Sequence, residues 1–153
     1  MSERVDKLRQ RCEEMLAADE EILLDTECSV YRRRFPFPDI GPGRAFLTDA
    51  RLIWIRRSTP SPFSWLLPLM SIPESIEVRL PRVEMLRRER WGLNSFHLRI
   101  RSEGREYFYR LGRGPYPLLR QNPQTSAEWI SMLERLRNSP AVKVESRIND
   151  GFR

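Results

Sequence analysis

Phe96-His97-Leu98-Arg99-Ile100-Arg101-Ser102-Glu103-Gly104-Arg105-Glu106-Tyr107-Phe108-Tyr109-Arg110-Leu111 is the stretch on which the fold turns. Two alternating runs flank Glu103-Gly104, a two-residue turn of the kind that joins antiparallel strands. Placing Ser102 opposite Arg105 sets Ile100 against Tyr107, Leu98 against Tyr109 and Phe96 against Leu111. One face of the hairpin is then apolar or aromatic throughout, and a slip of one residue would spoil both faces. On the reverse face Arg101 meets Glu106, which takes Arg101 out of the set of ligand contacts. His97 falls opposite Arg110 on that outward face and reads as a surface imidazole.

The chain upstream has the same period of two. Ile22, Leu24, Cys28 and Val30 alternate with more polar neighbours as a half-buried strand, which runs into Arg32-Arg33-Arg34. Phe35-Pro36-Phe37-Pro38-Asp39-Ile40-Gly41-Pro42-Gly43 cannot continue a ladder and reads as a loop. Arg44 to Thr48 and Arg51 to Arg57 follow as a second hairpin around Asp49-Ala50. After a proline-punctuated loop, Ser58 to Pro68, Ile76, Val78 and Leu80 alternate with Glu77 and Arg79 up to Pro81. Val83 to Trp91 supplies one more charged strand.

Helices are expected only at the two ends. Val5, Leu8, Cys12, Met15 and Leu16 share one side of a helix over residues 3–18, suited to packing on the body or to a partner. Thr125 with Glu128 forms a capping box, and Trp129, Met132, Leu133 and Leu136 recur at helical spacing before Asn138 and Pro140. The organisation is a leader helix over 1–19, a β body over 20–138 and a polar tail over 139–153.

The chain has 153 residues, 40% of them apolar and 31% charged, which suits one globular domain. The stretch Phe63 to Met70 is far short of the ~20 apolar residues a bilayer span requires, so no spanning segment is expected. No secretory h-region follows Met1, and Cys12 and Cys28 alone cannot build a disulfide framework. Both thiols are expected reduced, and a cytoplasmic setting follows, with room for peripheral attachment to a membrane. The net charge of +6 hides an asymmetry. Residues 1–28 hold four Lys/Arg against nine Asp/Glu, the remainder 23 against 12, and all cations but Lys7 and Lys143 are arginines. Guanidinium forks suit phosphate and carboxylate, so an anionic partner is the natural inference.

Nothing in the sequence points to catalysis. There is one histidine, no Gly-x-Ser-x-Gly elbow and no phosphate loop ending in lysine. The reading is a non-enzymatic binding module without metal or cofactor. A nucleic-acid role lacks an aromatic stacking signature on a strand face.

Seven strands followed by a helix with a tryptophan near its start resemble the pleckstrin-homology superfold. Gly43-Arg44-Ala45-Phe46-Leu47-Thr48-Asp49-Ala50-Arg51-Leu52-Ile53-Trp54-Ile55 resembles the motif of GRAM-type domains, and Phe63 to Leu69 with Ile72-Pro73 is similar to the family's next segment. The resemblance implies a mainly β fold, two packed antiparallel sheets plugged by the C-terminal helix. It also implies that the loops after the first, third and sixth strands meet at one rim. That rim would gather Arg32, Arg33, Arg34, Arg44, Arg56, Arg57 and Arg105, beside Phe35, Phe37, Phe63 and Trp65 as apolar membrane contacts. The implied ligand is an anionic phospholipid head group, a phosphoinositide among them. The alternative is an adaptor for an acidic protein partner, either a peptide or a ubiquitin-like domain as in the related GLUE branch, with the groove beside the terminal helix as the docking place.

Overall fold

The computed structural model describes residues 2–32, 41–57, 73–90, 96–112 and 123–138. Among these, α1 (Ser2–Met15) is followed by β1 (Ile22–Tyr31), β2 (Gly41–Thr48), β3 (Arg51–Arg56), β4 (Ser75–Arg79), β5 (Val83–Arg90), β6 (Phe96–Ser102), β7 (Arg105–Leu111) and α2 (Pro123–Arg137). A single 3-10 turn, Leu80–Arg82, joins β4 to β5 around Pro81.

The β6–β7 hairpin adopts the register its sequence demands, with Leu98 across Tyr109, Ile100 across Tyr107 and Ser102 across Arg105. Glu103 and Gly104 have φ of 53° and 77°, the two positive values that match the right-handed twist of the flanking strands. On its outer face Arg101 lies across Glu106 as expected, but the ion pairs run elsewhere. Arg101 reaches Glu84 of β5 at 3.6 Å, while Glu106 accepts from Arg99 Nε at 2.5 Å, and Arg99 also donates to Glu89 at 3.2 Å. The neighbouring strand β5 brings in carboxylates that the hairpin alone does not reveal. His97, expected at the surface, is buried, edge-on to Phe108 at 5.2 Å and 3.3 Å from Glu89 Oε2.

The strands make one antiparallel sheet in the order β4-β3-β2-β1-β7-β6-β5, where the sequence reading expects two. β1 is the reason: it pairs with β2 from Ile22 to Val30 and with β7 from Cys28 to Tyr31, so both halves are stitched through one strand. The halves still face each other. Leu47, Leu52, Trp54 and Val78 of the first pack with Leu98, Ile100 and Tyr109 of the second, and Trp129 and Leu133 of α2 complete the core. Trp54 donates Nε1–H to the Cys28 carbonyl at 3.0 Å. Gly43 permits this, since a Cβ there would lie 2.6 Å from the Trp54 ring and 2.3 Å from the Ile55 carbonyl oxygen.

α2 begins at Pro123, two residues before the expected cap, so Thr125 lies inside the first turn rather than capping it. Proline suits that opening because its missing N–H is one the first turn leaves unbonded anyway. α1 forms as expected and packs on the body: Cys12, with Leu8 and Leu16, meets Phe46, Ile53 and Ile55 on the outer face of β2 and β3. Met15, expected on the apolar stripe, is exposed. Among the described residues no helix is long and apolar enough to cross a membrane.

Candidate anion-binding rim

Strand alternation sorts the candidate arginines before any contact is considered. Arg32 shares the parity of Cys28 and Val30, Arg56 that of Leu52 and Trp54, and Arg105 that of Tyr107 and Tyr109, all inward-facing rows. Arg57 follows the outer row of Ile53 and Ile55, and Arg44 the outer row of Phe46. The register then brings strand ends together: Val30 lies across Gly41, Gly43 across Arg56, and Arg57 N–H donates to the Pro42 carbonyl at 3.0 Å. The end of β1, the start of β2 and the end of β3 therefore share one edge of the sheet. Arg56 N–H donates to Glu74 O at 2.8 Å, adding the approach to β4.

At this open end Arg32 and Arg105 line one cleft of about 530 Å³, between β4 and the β6–β7 turn, with Ser75, Glu77, Ser102 and Glu103 among its other walls. Its two carboxylates are held by arginines that do not line it. Glu77 Oε1 accepts from Arg51 at 2.9 Å and lies 3.6 Å from Arg79, and Glu103 pairs with Arg82. Both acids of the cleft are thus already engaged.

Arg44 is placed elsewhere. Its Nη2 donates to Asp25 Oδ1 at 2.7 Å, Asp25 Oδ2 accepts from Arg9 of α1 at 2.6 Å, and the group lies on the outer face of the sheet beside α1. A parallel cluster holds Arg51: Glu20 accepts from its Nε at 2.8 Å and from the Thr48 hydroxyl at 2.7 Å, and Arg51 Nη2 donates to the Met15 carbonyl at 2.5 Å. Burial pushes the Glu20 carboxyl up, but the Arg51 and Thr48 hydrogen bonds outweigh it and hold it below its ordinary value. Glu20 and Asp25, from the acidic first 28 residues, are thus the counter-ions of the outer-face arginines. Sequence reasoning missed this, although the parity of Arg44 with Phe46 already separates it from Arg32 and Arg56.

Arg33, Arg34, Phe35, Phe37, Phe63 and Trp65 lie outside the described residues. Glu77, Glu103, Ser75 and Tyr107 were not among the candidates, because only the curl of the sheet brings β4 to the β6–β7 turn. Burial drives the Cys12 thiol up to about 11 and Cys28 well above its usual value, so both resist ionisation at neutral pH. No group of three or more His, Cys, Asp or Glu that could hold a metal occurs among the described residues.

No family model matches the sequence, and no curated protein is significantly similar to it. The fold does have solved relatives. The "Vps36 N-terminal PH domain" superposes with a TM-score of 0.55 at 15% identity, over 80% of this chain and 83% of that one. The C-terminal domain of an unknown protein from Leishmania infantum gives 0.52 at 9% identity, over 86% and 96%. The hSac2 domain from the human phosphoinositide phosphatase Sac2 gives 0.47 at 12% identity, over 90% and 85%. With the strand order, the terminal helix and the first of these likenesses, the chain has a pleckstrin-homology-like fold: mainly β, seven antiparallel strands among the described residues and a C-terminal helix.

Proposed function

We propose that this protein is a non-enzymatic, GRAM-type binding module that attaches peripherally to anionic membrane lipid through the open end of its sheet. The observation that carries the reading is the register that sets Arg32, Arg56, Arg57 and Arg105 at one end, while Asp25 and Glu20 are engaged by Arg44 and Arg51. In the sequence Arg33 and Arg34 continue the basic run from Arg32, and Phe35, Phe37, Phe63 and Trp65 stand in the segments that follow β1 and β3. Cations flanked by aromatics match what an interfacial contact requires.

Each basic residue near an anionic leaflet contributes ~1 kcal/mol, so four give roughly 4 kcal/mol, an affinity of about a millimolar. Two more, Arg33 and Arg34, bring it to tens of micromolar, which is reversible recruitment. The test is vesicle sedimentation at rising ionic strength with phosphatidylserine, phosphoinositide and neutral vesicles. Binding should fade with salt and drop about a hundredfold in Arg32/Arg33/Arg34→Ala. Retention by neutral vesicles, or by none, defeats the proposal.

The adaptor alternative would use the surface beside α2. The cavity beside α2, lined by Leu80, Val83, Leu86 and Leu133, is about 10 Å³, the room of one water at most.

A further inference from the structure

α1 is fastened to a part of the molecule that the main core does not need. Cys12, with Leu8 and Leu16, packs on Phe46, Ile53 and Ile55, while Leu47, Leu52 and Trp54 of the same two strands point through the other face into the main core. The sheet separates the two clusters, and among the described residues they share no member. Each holds one of the two cysteines, Cys12 outside and Cys28 within. α1 brings little stability of its own. Eight of its 14 residues are charged, and an isolated helix shorter than about 15 residues is marginal in water.

What holds it is largely one guanidinium. Arg51 of β3 donates from Nη2 to the Met15 carbonyl, at the C-terminal end of α1, at 2.5 Å, and from Nε to Glu20 at 2.8 Å. Glu20 also accepts from the Ala17 N–H at 3.2 Å and the Thr48 hydroxyl at 2.7 Å, so it ties the turn after α1 to β2 and β3. Glu77 of β4 holds the same guanidinium at 2.9 Å. Two further links, Arg9 to Asp25 at 2.6 Å and Arg11 to Glu74 at 3.8 Å, start from side chains nearly half exposed, where ion pairs contribute little. We propose that α1 is a detachable strap: it releases as a unit while the β body and α2 stay folded, uncovering Phe46, Ile53, Ile55 and the Cys12 thiol, and Arg51 is the catch that keeps it shut. Local opening of this kind belongs to segments with few apolar contacts to the main body. The membrane reading and the strap do not depend on one another.

The test is native-state hydrogen exchange on the full chain. The amides of α1 should exchange through a local opening, and those of β6 and β7 only through global unfolding. Ile100→Val, a mild change in the main core, weakens the closed and the strap-open forms alike. It should speed exchange in β6 and β7 about fivefold and leave α1 unchanged. Arg51→Gln should speed α1 exchange about thirtyfold or more. In urea below the unfolding midpoint, Cys12 should be alkylated while Cys28 is still protected. Acceleration of α1 in step with β6 and β7 in Ile100→Val would overturn the proposal, as would alkylation of both thiols together. An α1 exchange rate indifferent to Arg51→Gln would remove Arg51 as the catch and overturn it too.

Discussion

Arg44 and Arg51 lie on the outer face of the sheet beneath α1, where Asp25 and Glu20 bind them at 2.7 and 2.8 Å. Arg32 and Arg105 lie at the open end and line a cleft whose carboxylates are held by other arginines. The residue type is the same in both places, and what differs is the face of the sheet. On the outer face arginine fastens a helix to a sheet. On the inward rows at the open end it lines a cleft, where the proposed function makes it the means of recognition. Counting arginines along the sequence treats the two as one surface.

Six substitutions test the two regions and what they share. The largest effect is expected at Gly43, the support common to both. Gly43→Ala would drive a methyl into the Trp54 indole and the Ile55 carbonyl, costing about 3 kcal/mol or more. Urea unfolding reads this, and a loss under about 1 kcal/mol would mean that Trp54 does not depend on the close approach.

Next comes the clamp. Arg51→Ala strands the Glu20 carboxylate, whose side chain is only 6% exposed, at a cost of about 2–4 kcal/mol. It should loosen α1 enough that Cys12 reacts with iodoacetamide at pH 8, where the buried native thiol does not. Because the folded Glu20 carboxyl is held below its ordinary value, its stabilisation is complete above about pH 4.5 and is lost as pH falls through the lower folded value. Acid should therefore reduce unfolding free energy less in Glu20→Gln than in the native chain. Equal acid sensitivity in both would remove Glu20 from the account.

Arg44→Ala is expected to cost about 1 kcal/mol of stability, from the loss of a part-buried charge-assisted hydrogen bond, and to leave vesicle binding unchanged. Arg105→Ala should do the reverse, with stability within about 0.5 kcal/mol and vesicle affinity about fivefold lower, the equivalent of ~1 kcal/mol. If Arg44→Ala weakened vesicle binding as much as Arg105→Ala, the division between the two regions would fail. The smallest effect falls on the turn between them: Glu103→Asn suits the positive φ of that position better and should raise stability by a few tenths of a kcal/mol.

The β6–β7 hairpin was legible to the residue, because alternation and the Glu103-Gly104 turn constrain one another. The terminal helix was legible as an element but not at its start, since Pro123 opens it while the Thr125 and Glu128 pattern imitates a cap. For the rim, parity within each strand would have set Arg44 apart from Arg32, Arg56 and Arg105. The pairing of Arg101 with Glu84, the burial of His97 and the engagement of Glu77 by Arg51 were not legible, because each depends on which strand lies beside another.

By itself the sequence determined the strands, their inward and outward rows and the two flanking helices, since these follow from side-chain period and turn chemistry acting over a few residues. Tertiary structure alone decided that one strand, β1, joins both halves into a single curled sheet, that α1 covers the outer face of β2 and β3, and that β4 approaches the β6–β7 turn. Charges pair by proximity in space, so which arginines fasten α1 and which line the cleft was decided only when the sheet curled.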